Sequence, residues 1–127
     1  MVTVELPAEV VNFLDRFIDS IPELETLLIM SDAPQRHWTR AAVAQRIYVS
    51  EDAAQSILEV LLRRRLIAAS DAGYRFAPPD DSQRELVARV ATTYRSNLVS
   101  VANFIHKKAS VSVMEFARAF DFKKKDH

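Results

Sequence analysis

The chain has 127 residues, 49% hydrophobic and 27% charged, a balance that excludes a disordered protein and suits one ordinary domain with a single core, expected over 1–127. Formal net charge is zero but unevenly spread: residues 1–38 carry 2 basic and 7 acidic side chains, 39–76 carry 6 and 4, and 106–127 carry 6 and 3. Cysteine is absent, which excludes disulfides and thiolate metal sites; the aliphatic runs fall short of the ~20 residues of a membrane span, no secretion signal is visible, and a cytoplasmic protein is expected.

A single glycine argues for helices. Pro7 followed by Ala8, Val10, Val11, Phe13, Leu14, Phe17 and Ile18 gives apolar spacings of three and four, so a first helix is expected over 7–20. Ser20, Pro22, Glu23 and Glu25 supply a cap, a first-turn proline and early acids for a second helix running to about Ser31, and the pair fills 7–38. Thr39 caps a short helix with Ala42, Val43, Ala44 and Ile47; Tyr48-Val49 interrupts it, and Ser50 caps the next. In that helix Ala53, Ala54, Ile57, Val60, Leu61 and Leu62 fall on one side, while Asp52, Gln55, Ser56, Glu59 and Arg63 share the other. Arg64 and Arg65 flank the apolar side, in position to snorkel or to cap helix carbonyls. Then a short apolar run, a turn at Gly73, alternation of Tyr74, Arg75 and Phe76, and the stop at Pro78-Pro79 predict a hairpin.

The last third, 82–122, is read as C-terminal helices. Ser82 to Glu85 forms a capping box for a long helix striped with Leu86, Val87, Val90, Tyr94, Leu98, Val101, Ala102 and Ile105. Unbroken to Lys108 it spans roughly 40 Å, longer than the domain's own core needs. A second box, Ser112 to Glu115, predicts a final helix bearing Val113, Phe116, Ala117 and Phe120, followed by Phe122 and the Lys123 to Lys125 run, read as a solvated end.

Helix, turn, helix and hairpin over 39–76 make a winged helix-turn-helix, so the expected fold class is mainly α with a small β-hairpin wing and extra N- and C-terminal helices. In this the chain resembles the MarR family of bacterial regulators and its winged-helix relatives. The resemblance is architectural, and the wing offers only Arg75 where that family's wings are more basic. It implies a homodimer built from terminal helices near 7–20 and 86–122, with Phe13, Phe17, Leu98, Ile105, Phe116 and Phe120 as dimerisation residues. It also implies a small-effector pocket near the junction with those helices, for which Trp38, Tyr48, Tyr94 and Phe104 are the available walls. For Trp38 itself, a packing anchor of the small domain is the simpler reading.

Three functions compete. As a DNA-binding transcriptional regulator, Gln55, Ser56 and Arg63 would meet bases or phosphates of double-stranded DNA, Arg40 and Arg46 the backbone, and Arg75 would sit in the wing. Asp52 and Glu59 oppose phosphate binding on that same face, although first-turn acids also stabilise a helix whether or not DNA is bound. As an interaction module, the same face would dock a basic partner such as another regulatory protein. The third role, effector sensing, is compatible with the first. Catalysis is not expected: His37, His106 and His127 have no metal-ligand spacing, one glycine cannot build a phosphate loop, and no cofactor is implied. His106, Lys107 and Lys108 read as cations completing a helix C-terminus.

Overall fold

The computed structural model describes residues 6–125, and along 111–113 and 115–125 only the helical backbone. Among the described residues are six helices and one two-stranded antiparallel sheet: α1 (Ala8–Phe17), α2 (Ile21–Asp32), α3 (Arg40–Ile47), α4 (Glu51–Arg63), β1 (Ile67–Ser70), β2 (Gly73–Phe76), α5 (Asp81–Ser96) and α6 (Leu98–Lys125).

The caps fall largely where short polar side chains stand before apolar runs. Ser20 Oγ accepts from the Glu23 N–H at 3.3 Å, Thr39 Oγ1 from Ala42 and Ser50 Oγ from Ala53, both at 3.1 Å. Glu23 returns the bond, accepting from the Asp19 N–H at 3.1 Å. Pro7 stands just outside α1, and its carbonyl accepts the first bonds of that helix.

Two boundaries depart from the sequence reading. α5 begins earlier than Ser82: Asp80 takes extended backbone, and its Oδ1 accepts from the Gln83 N–H at 2.8 Å. The expected helix to Lys108 breaks at Asn97, whose amide side chain competes for the Thr93 carbonyl. The break lets α6 pack on α1 and α5, with Val101 and Ile105 wholly buried. The second capping box starts nothing, because α6 runs through it; no glycine or proline between His106 and Val111 ends the preceding turn.

One core joins all elements. Phe13 and Leu14 of α1, Leu24, Leu27 and Met30 of α2, Val43 of α3, Leu58 and Leu61 of α4, Phe76 of β2, Val87 and Val90 of α5, and Ile105 of α6 belong to it. The buried stripe of α4 is Ala54, Leu58 and Leu61, turned from the expected one, so that Leu62 lies at the surface.

Turns after α3 and α4 use left-handed residues that are not glycine, Tyr48 and Arg65, each at φ 61°. The conformation costs a residue with a Cβ roughly 1–2 kcal/mol, yet it lets the Val49 N–H reach the Ala44 carbonyl and the Leu66 N–H reach that of Leu61. The hairpin pairs Ile67 with Phe76 and Ser70 with Gly73. Trp38 adds a further bridge to Tyr74, the two exchanging N–H···O bonds of 2.6 and 2.8 Å. Gly73, at φ 123°, lies where a Cβ would come within 2.6 Å of the Trp38 carbonyl oxygen.

Candidate functional site

α3 and α4 meet across the three-residue turn Tyr48 to Ser50, and the hairpin follows directly on α4. The outward face of α4 carries Asp52, Ser56, Glu59 and Arg63, all exposed. Arg40 and Arg46 are exposed on α3, as is Arg75 on β2, so five of the six expected DNA-facing residues reach solvent.

The sixth, Gln55, is half-buried. Its Nε2 donates to the Tyr74 hydroxyl at 3.2 Å and to a Glu59 carboxylate oxygen at 3.1 Å, so the side chain braces α4 against the hairpin. Arg40 is partly neutralised by Glu51, 3.5 Å away across the helix pair. No ion pair among the described residues engages Arg46, Arg63 or Arg75. Among the described residues, unpaired positive charge is therefore exposed on α3, on β2 and at the last residue of α4, while the exposed face of α4 itself carries Asp52 in its first turn and Glu59.

Of the expected dimerisation residues, Phe13 and Ile105 are corrected by their packing: 2% and 0% exposed, they fill the chain's own core and present nothing to a second copy. Phe17 is half-buried, its ring 5.0 Å from that of Phe13. Leu98 is 55% exposed, and Val99 beside it and Met114 about four turns further along are the other large apolar side chains exposed on α6 among the described residues. Phe116 and Phe120 lie outside the described side chains.

The expected effector walls stand in different settings, Phe104 being half-buried against the core. Trp38 is a core residue, Tyr48 is 92% exposed, and Tyr94 fastens α5 to α2 by donating to Glu25 at 3.3 Å. Burial, then the adjacent Glu25 carboxylate, holds the Tyr94 hydroxyl above its ordinary pKa. Trp38 instead lines a surface hollow with Arg36, Ala42, Gln45 and Arg46. The sequence reading missed that grouping, although Ala42, Gln45 and Arg46 have the three- and four-residue spacing of one helix face.

Arg64 and Lys108 cap α1. Arg64 donates to the Phe17 carbonyl and to Glu23 Oε1 at 2.8 Å, and Lys108 donates to the carbonyls of Leu14 and Ile18 at 3.1 and 2.8 Å. Lys108 thus completes a different helix terminus from the one expected, because its own helix continues.

Among the described residues, no cluster of His, Asp and Glu has the grouping of a metal site, and no helix is long and apolar enough to cross a membrane. No protein-family model, curated protein or solved structure matches the chain.

Proposed function

We propose that α3, α4 and the β1–β2 hairpin form a winged helix-turn-helix, and that the chain is a cytoplasmic transcriptional regulator that binds double-stranded DNA as a homodimer. The observation that carries this reading is the exposed polar face of α4, with exposed arginines on each of the three elements, Arg46 on α3, Arg63 on α4 and Arg75 on β2, that no intrachain ion pair engages among the described residues. α4 then enters the major groove with Ser56 toward the bases, and the arginines meet phosphates on either side. Arg40 is the weakest of the expected contacts, since Glu51 competes for it, and Gln55 acts by holding the hairpin in place. Dimerisation uses the start of α6, where Leu98 and Val99 are exposed side by side. No catalytic step or cofactor belongs to this reading.

Fluorescence anisotropy with mixed-sequence duplex DNA at several salt concentrations tests it. Three arginines from each of two protomers give log K against log[salt] a slope of about −5. Absence of binding even at low salt overturns the DNA reading. A second reading, a winged helix that docks a basic protein, is favoured by the exposure of Asp52 and Glu59 on the same face of α4.

A further inference from the structure

The loop before α3 and the outer face of α3 bound a hollow of about 240 Å³ lined by Arg36, Trp38, Ala42, Gln45 and Arg46. Ala42 brings only a methyl group, which leaves room between its larger neighbours. The lining combines two guanidinium groups, a side-chain amide and an indole, and none of its five residues is a carboxylate. Neither Arg36 nor Arg46 enters an ion pair found among the described residues.

Trp38 supplies an independent observation. Its Nε1 is buried and has no hydrogen-bond partner, alone in this among the buried side-chain polar atoms of the described residues. The backbone of Trp38 is fixed to Tyr74 by two hydrogen bonds, and the Arg36 guanidinium lies over its ring, 3.7 Å from the centroid. The indole is therefore held where it is, and it fixes the Arg36 guanidinium at the edge of the hollow. Two like charges gathered where no acid balances them repel each other, and an anion between them relieves that repulsion.

We propose that this hollow is an oxyanion site that takes a phosphate group, with Arg36 and Arg46 clamping its oxygens, the Gln45 amide donating to them, and the Trp38 ring forming the wall on which Arg36 is stacked. Arginine suits the task because its planar fork donates two parallel bonds to one phosphate. The volume admits a phosphate with a small organic remainder, so a free phosphomonoester is one source and a nucleic-acid backbone phosphate the other. The proposal does not rest on the DNA reading, because a small phosphate can fill the hollow in its absence.

Trp38 is the sole tryptophan, so its emission reports on the hollow directly. The full chain is titrated with inorganic phosphate at constant ionic strength against chloride, following that emission and the indole N–H resonance. The expected result is a saturable change with phosphate and none with chloride. R46Q and R36Q, both at exposed positions, each weaken the response by about tenfold or more while circular dichroism stays unchanged. A wild-type response that does not saturate, or one that both variants leave untouched, overturns the site. Duplex DNA that displaces phosphate assigns the saturable site to backbone phosphate; phosphate retained in its presence assigns the site to a free phosphorylated ligand.

Discussion

Arg64 and Asp19, separated by 45 positions in the chain, meet with a guanidinium nitrogen 2.7 Å from a carboxylate oxygen. Lys108 approaches the other oxygen at 3.0 Å. Both cations also donate to carbonyls at the end of α1, so one helix terminus ties α4 and α6 to the N-terminal part of the fold.

Breaking this tie lowers stability. Arg64→Ala removes the partner of Glu23, whose side chain is 13% exposed, and leaves the Phe17 carbonyl with one donor fewer; a loss of about 1–3 kcal/mol is expected in urea denaturation. Lys108→Met, which withdraws a donor from the same helix end, acts in the same direction. If neither variant shifts the urea midpoint, these contacts do not hold the helices together.

Asp19 gives the same cluster a pH dependence. Burial raises its pKa, but the hydrogen bonds and charges of Lys108 and Arg64 outweigh that and hold it below the ordinary 3.8. A depressed carboxylate contributes stability above its unfolded pKa and loses it as pH falls through the folded one. Asp19→Asn is therefore less stable than the parent near neutral pH, and the gap closes below about pH 4. The side chain is 59% exposed, so solvent screening keeps the neutral-pH gap under about 1 kcal/mol. A gap that persists unchanged into acid assigns the effect to packing instead.

Gly73→Ala tests the joint between the hairpin and Trp38. The added methyl meets backbone, the Trp38 carbonyl oxygen, and backbone cannot swing aside as a flexible side chain does. With a φ of 123° added to the collision, a loss of about 2–4 kcal/mol is expected. Trp38 emission should shift toward the red at a lower temperature than in the parent. Unchanged melting would mean that the bridge between Trp38 and Tyr74 gives way at little cost.

The order of helices and the hairpin was legible because caps and periodicity are local: Ser20, Thr39 and Ser50 each precede an apolar run, and Gly73 and Pro78 bound the second strand. Asn97 was not legible as a break, since an asparagine inside an amphipathic stripe is tolerated until packing favours a new direction. The site divides in the same way. Exposure of Ser56, Arg46 and Arg63 follows from helical spacing, whereas the engagement of Gln55 by Tyr74, 19 residues away, needs the hairpin folded back on α4. The hollow beside Trp38 joins a loop to a helix face, and no spacing rule links Arg36 to Arg46.

Asp52 and Glu59 decide between the two functional readings. Both are exposed on the face of α4 that would enter a groove, where each carboxylate repels phosphate and opposes the neighbouring arginines. If that face meets DNA, Asp52→Asn and Glu59→Gln each tighten duplex binding at low salt, by about threefold to tenfold, because a unit of repulsion is worth on the order of 1 kcal/mol across a wet interface. Glu59→Gln also retains an oxygen that can accept from Gln55, so the brace to the hairpin survives the change. If the face meets a basic protein, the same substitutions weaken that complex and leave DNA affinity where it was. Anisotropy titrations of the two variants beside the parent, in one buffer and with one duplex, separate these outcomes by the sign of the change.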